Sequence, residues 1–138
     1  MKIYLAGPMR GIPEFNFPAF HAATSRLRKS GHFVFNPAER DIAHHGKDIS
    51  KGNATGDEAL AVSEHGFDLR KALKDDLEFI CLHADAIALL PGWENSKGAR
   101  AELHTALALN LEIIHLESSR VPASPTESKE HERARTGA

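Results

Sequence analysis

Two apolar runs, Lys2–Ala6 and residues 84–90, each stop at a glycine-bearing loop that leads into a stretch with helical spacing. Strands that are apolar at successive positions bury both faces, as in a parallel sheet, and parallel strands need a crossover between them. The pattern therefore restricts the chain to an α/β design. Residues 17–30 set Phe20, Ala23 and Leu27 at helical spacing, with Pro18 in the first turn and Gly31 as the stop. Residues 32–35 read as a second strand ending at Asn36-Pro37, and residues 111–116 as a fourth. Between them, residues 67–82 repeat Leu69, Ala72, Leu73, Leu77 and Ile80 at helical spacing, and residues 96–110 form a further helix. Strands alternating with helices predict a flavodoxin-like (Rossmann-like) three-layer fold around a four- to five-stranded parallel sheet.

One domain over residues 1–117 accounts for this pattern, since 138 residues with 41% hydrophobic content suffice for a single core. Residues 38–66 hold His, Gly and Asp with little periodicity and read as an insertion or mobile loop. Residues 118–138, rich in Ser, Glu, Arg and Pro, read as a disordered tail. A net charge of -2 without a basic stripe argues against a nucleic-acid polymer as partner, because phosphate neutralisation dominates such binding. Cys81 is the only cysteine, so no disulfide framework or cysteine metal site is available. No apolar run approaches the ~20 residues of a membrane span. With Met1 leading directly into a strand, the expectation is a soluble, unprocessed cytoplasmic protein that needs no cofactor.

Ligands of open α/β sheets bind beyond the carboxyl ends of the strands. Glu102 follows such an end, in the run Gly92-Trp93-Glu94-Asn95-Ser96-Lys97-Gly98-Ala99-Arg100-Ala101-Glu102-Leu103, where it either faces the crevice or joins a solvated helix face. A second glycine loop follows Ala6 and carries Gly7, Arg10 and Gly11, and the two loops together suggest a nucleotide pocket. Asp85 precedes its strand and reads as structural. His44, His45 and His65 lack an HExxH pattern and a partner cysteine, so they read as loop histidines and not as metal ligands.

The segments Tyr4-Leu5-Ala6-Gly7-Pro8, Asp76-Leu77, Ala84-Asp85-Ala86-Ile87 and Ser96-Lys97-Gly98-Ala99-Arg100-Ala101-Glu102 resemble the nucleoside 2-deoxyribosyltransferase and 2'-deoxynucleoside 5'-monophosphate N-glycosidase superfamily, and most of all its DUF4406-like branch. That resemblance implies that Glu102 attacks the anomeric carbon of the sugar. Asp76, or its neighbour Asp75 one register away, would protonate the departing base, and Tyr4 would lie beside the sugar or simply pack in the core. Cleaving an N-glycosidic bond builds oxocarbenium character at C1', which a fixed carboxylate stabilises, while an acid protonates the leaving nitrogen. Ser96 matches the position that contacts a 5'-phosphate in the monophosphate hydrolases, with Gly7, Arg10, Gly11, Lys97 and Gly98 completing the cradle. The same Ser96 is suited to capping its helix. Trp93 and the 38–66 segment would narrow the base pocket or cover it. The expected activity is an N-glycosidase acting on a nucleoside 5'-monophosphate. Base exchange by a transferase and a non-catalytic nucleotide sensor stand as alternatives. The resemblance also implies a homodimer or larger assembly, with Phe67, Phe79 and Leu103 either at its interface or in the core.

Overall fold

Residues 2–6 alternate sharply between two cores. Ile3 and Leu5 join Val34, Ala86, Ala88, Phe17 and Phe20 on one side of the sheet, whereas Tyr4 and Ala6 join Ile87, Leu89, Phe79 and Leu103 on the other. Side chains of a strand point alternately to its two faces, so a run apolar at every position must be covered twice. The structure, a computed structural model, describes residues 1–45 and 68–117. Within them the order is β1 (Lys2–Ala6), α1 (Phe17–Lys29), β2 (Phe33–Phe35), α2 (Pro37–His45), α3 (Leu69–Leu82), β3 (Ala86–Leu89), α4 (Lys97–Ala108) and β4 (Glu112–His115).

The four strands form one parallel sheet in the order β2-β1-β3-β4. The chain therefore leaves β1 for one neighbour, β2, and later returns to its other side as β3. That reversal makes the carboxyl ends of β1 and β3 the topological switch point, where open α/β sheets leave a crevice. Helix α1 covers one face through Phe17, Phe20 and Ala23, and α3 and α4 cover the other through Phe79, Ile80, Ala99, Leu103 and Ala106. Phe79 and Leu103 are thus core residues, so the interface role weighed for them gives way to packing. Asp85 closes the amino end of the sheet, where its Oδ2 accepts from the backbone N–H of Lys2 at 2.8 Å.

Residues 37–45 depart from expectation, because they form a helix where the sequence suggests a loop. Asn36 caps its start by accepting from the N–H of Ala38 at 2.8 Å, and Pro37 occupies the first turn, where its missing N–H costs nothing. Ala38 and Ile42 then pack onto the α1 side of the core, and Glu39 makes a two-pronged ion pair with Arg28 of α1 at 2.6 and 2.7 Å. His44 and His45 fall in the last turn of this helix. The remainder of the expected insertion, 46–66 with His65, as well as Phe67 and the expected tail 118–138, lie outside the described residues.

Gly7 marks the closest approach in the crevice. A Cβ placed on it would stand 2.7 Å from Leu90 Cβ and 3.0 Å from Leu90 Cδ1. At Gly98 the nearest neighbour of such a Cβ is Ser96 Oγ, 3.9 Å away. Gly7→Ala is therefore expected to lower the unfolding free energy by about 1–3 kcal/mol through overpacking. Gly98→Ala should leave it equal or slightly higher, as alanine favours a helix. Urea denaturation of the two variants checks this contrast, and equal midpoints would refute it.

Candidate active site

Helix α4 buries Ala99, Glu102, Leu103 and Ala106, and helix α3 buries Ala72, Asp76, Phe79 and Ile80. Both sets follow the spacing of the stripe with which a helix faces a core. One member of each is an acid. Glu102 is 6% exposed and Asp76 7%. Burying a carboxyl in such a stripe is costly unless it is protonated or partnered, and each of these two acids has a partner.

Tyr4 supplies the first partner. Its ring is fixed by stacking on Phe35, its cross-strand neighbour in β2, at 5.5 Å between centroids. From there its fully buried hydroxyl donates to Glu102 Oε2 at 2.7 Å. Burial, followed by the negative neighbours Glu102 and Asp76, holds this hydroxyl protonated well above its ordinary range. Burial likewise raises Glu102 well above a normal glutamate, and the facing Asp76 adds to the shift while the Tyr4 hydroxyl opposes it. Burial raises Asp76 to about 6, against the opposing pull of Arg40, Tyr4 and Glu102. Two interacting acids in one buried site titrate as a pair, and this one keeps a proton through neutral pH.

Arg40 and Asp41 of α2 are the residues that sequence reasoning missed. Arg40 Nη2 lies 2.9 Å from Asp41 Oδ1 and 3.2 Å from Asp76 Oδ1, and Nη1 lies 3.3 Å from Asp75 Oδ2. One guanidinium thus serves three carboxyls. The contact with Asp76 is an ion pair without hydrogen-bond geometry, since Asp76 Oδ1 has no hydrogen-bond partner. Asp41, 5% exposed, rises to about 7 because burial outweighs its divided share of Arg40. Of the neighbours Asp75 and Asp76, both of which face Arg40, it is Asp76 that also interacts with Glu102 and Tyr4.

These groups line a cleft at the switch point. Tyr4, Asp76, Glu102, Arg40 and Asp41 meet Gly7, Arg10, Ser96 and Gly98 along it, and Met9, Phe15, Phe17, Leu69 and Leu73 make its apolar wall. Phe15 reaches that wall from a left-handed turn in which Glu14, Phe15 and Asn16 all have positive φ, braced by Asn16 Nδ2 donating to Pro8 O at 3.0 Å. A second cleft adjoins the first, shares Met9, Arg10 and Ser96 with it, and adds Asn95 and Lys97. Ser96 caps α4 by accepting from the N–H of Ala99 at 3.1 Å, which leaves its own hydroxyl proton available to a ligand. Gly11 and Trp93 line neither cleft. Gly11 occupies a turn at φ 78°, and Trp93 lies over His115 of the edge strand, 6.2 Å between ring centroids. Gly7 is demanded by its contact with Leu90, so its lack of a side chain has a packing cause. Among the described residues no group of three or more His, Cys, Asp or Glu side chains is arranged to hold a metal ion, and no helix is long and apolar enough to cross a membrane.

The fold and the cleft define an α/β protein with a buried acid pair at its switch point. Residues 1–115 match the family model described as a domain of unknown function, DUF4406, and the chain belongs to that family. No curated protein and no solved structure matches it.

Asp41 and Asp76 keep their protons in the folded protein to about pH 7 and 6, whereas an unfolded chain loses them near the ordinary aspartate value of about 3.9. Between those limits the folded state binds the extra protons, so the stability tied to them is present at low pH and is lost as pH rises through 6 to 7. The urea midpoint is expected to fall between pH 5 and pH 8. In Asp41→Asn that loss should shrink by about 1 kcal/mol or more. A pH dependence identical to wild type would show that Asp41 is ionised in the folded protein already at pH 5.

Proposed function

We propose that the protein hydrolyses the bond between base and sugar of a (deoxy)nucleoside 5'-monophosphate, with Glu102 as nucleophile and Asp76 as the proton donor and acceptor. The observation that carries this reading is the buried pair itself: two interacting carboxyls, one also held by a tyrosine hydroxyl, lining a cleft with an apolar wall. A site that only bound an anion would gain nothing from acids there. The resemblance of Tyr4, Asp76, Ser96 and Glu102 to the glycosidase pattern supports the same assignment.

In the proposed reaction the proton that the pair retains, held by Glu102 at rest, passes to Asp76 as Glu102 attacks. The Glu102 carboxylate forms a bond to C1', the C1'–N bond breaks, and its electron pair passes to the base nitrogen, which takes the proton from Asp76. Water then attacks C1', its proton goes to the Asp76 carboxylate, and Glu102 leaves as carboxylate. Tyr4 donates to Glu102 Oε2 and so favours the charged form needed for attack and release. The enclosed space of the first cleft, about 100 Å³, is small for a whole nucleotide. The adjoining cleft adds about 550 Å³. Ser96, Lys97, Arg10 and the free N–H groups at the start of α4 meet at the junction, where a 5'-phosphate would find donors and the positive end of a helix.

Incubation with a panel of ribo- and deoxyribonucleoside monophosphates, followed by chromatography for free base, tests the reading. Release of base is expected for at least one member, rising with pH through about 6 as the pair passes from two protons to one, and falling again when the second is lost. Tight binding of one nucleotide without turnover would favour a sensor. Glu102→Ala and Glu102→Gln should abolish release while nucleotide affinity stays within about tenfold, because the lost contact belongs to the transition state. More than a few per cent of residual turnover would remove Glu102 from the chemistry.

Ser96 separates monophosphate from nucleoside. Wild type is expected to prefer the monophosphate, as hydrogen bonds to a charged group are worth roughly 1.5–3 kcal/mol. Ser96→Asp sets a like charge beside the phosphate and should slow monophosphate turnover on the order of a hundredfold, with little change for the nucleoside. An unchanged ratio would take the phosphate away from this end of the cleft.

A further inference from the structure

Arg40 has more contacts than a single ion pair requires, and their arrangement is directional. Its guanidinium lies along one side of α3, where Nη1 donates to Ala72 O at 3.3 Å and faces Asp75 Oδ2 at the same distance, while Nη2 faces Asp76 Oδ1 at 3.2 Å. On its own helix it holds Asp41 Oδ1 at 2.9 Å. Its Nε is buried without a hydrogen-bond partner. A planar guanidinium that donates from one terminal nitrogen and pairs by charge through the other fixes the groups it touches more firmly than a lysine can.

We infer, resting on the reading of the site given above, that Arg40 is the positioning residue of the acid pair: its guanidinium engages Asp76 Oδ1 while Glu102 is held by the Tyr4 hydroxyl, so that two chemically equal acids take different roles. A fixed positive charge on the Asp76 side opposes a proton there. When the C1'–N electron pair moves onto the base, the proton on Asp76 is handed over readily. The carboxylate left behind is stabilised by the same guanidinium until it takes a proton from the attacking water. Glu102, whose direct partner is the neutral Tyr4 hydroxyl, makes no ion pair among the described residues, feels Arg40 only as the weakest of its influences, and depends on the pair for its charge state. The groups facing Asp76 are Tyr4 from β1, Arg40 and Asp41 from α2, Glu102 from α4 and Asp75 from its own helix. Arg40 is the cation among them, and its charge pulls Asp76 down against the upward push of burial.

Carbon-13 NMR titration of the aspartate and glutamate carboxyls measures this without any substrate. In wild type Asp76 should titrate near 6. In Arg40→Gln its midpoint should move up by about one pH unit or more, with a smaller change at Glu102, and Arg40→Lys should fall between the two. With a cleaved nucleotide, Arg40→Gln should lower kcat about tenfold or more with KM within about threefold, and the rising limb of the pH profile should move with the Asp76 midpoint. Arg40→Lys should recover part of the rate. A merely structural arginine would change stability and leave the Asp76 midpoint in place. If Arg40→Gln does not fold, Arg40→Lys carries the same measurement with a smaller expected rise. An Asp76 midpoint unmoved by substitution overturns the inference whether or not a nucleotide is cleaved. A shifted midpoint in a protein that releases no base from any monophosphate counts against the glycosidase reading and leaves the hold of Arg40 on Asp76 standing.

Discussion

The parallel pairing of β1 with β3, from Ile3 against Ala86 to Ala6 against Leu89, determines where the cleft lies in this protein. The pairing continues one step further as the N–H of Leu90 donates to Ala6 O at 2.8 Å, and it brings Gly7 so close to Leu90 that a larger residue must displace its neighbour. Both strands are buried on both faces, so the register is strongly specified, since a one-residue slip would exchange Tyr4 and Ala6 for Ile3 and Leu5 between the two cores. Because β1 also pairs with β2, the chain reverses direction across the sheet at this point. Tyr4 stands on one side of the reversal and α4, with Glu102, follows the other. A shift of either strand would separate the hydroxyl from the carboxyl that accepts from it.

The second determinant is electrostatic. Asp41, Asp75, Asp76 and Glu102 gather around one buried guanidinium. Such an excess of acid is not readily ionised away from water, and burial pushes the titration of Glu102 well above its ordinary range and that of Asp76 and Asp41 up to about 6 and 7. Functional sites often hold groups displaced from their ordinary protonation. Here the displacement arises from helices that put acids into positions where their own spacing demands apolar residues.

How much of this was legible in the sequence follows from the range of the interactions concerned. The strands and the helices α1, α3 and α4 rest on local apolar spacing, and all are where that spacing sets them. Glu102 was legible from its place after a strand end and Asp76 from the family resemblance; that each interrupts an apolar stripe, at 99, 103 and 106 in one case and at 72, 79 and 80 in the other, is visible only in the folded helices. Arg40 was not, because its partners lie 35 and 36 residues away and the following segment conceals a short helix behind histidines and glycines. The signal at Asn36-Pro37, a capping side chain followed by a proline in the first turn, was present but also fits the end of a strand. Trp93 shows the opposite failure. A lone tryptophan in a glycine loop resembles a pocket wall, yet the 3-10 turn Trp93–Asn95 carries it back over the sheet edge.

The contact between Gly7 and Leu90 also bears on how a chain of this design can diversify. Because the two loops are in van der Waals contact at the base of the crevice, neither can lengthen or swing there without parting β1 from β3. The floor of the cleft is therefore common property of the scaffold, and altered ligand preference has to be written elsewhere on its perimeter. The left-handed turn at 14–16, which presents Phe15, and the short helix α2, which presents Arg40 and Asp41, are the parts of the wall that neither strand constrains. Variation at 14–16 and in α2 can therefore reshape one rim of the cleft, while Asp76 and Glu102, borne on α3 and α4, stay in place.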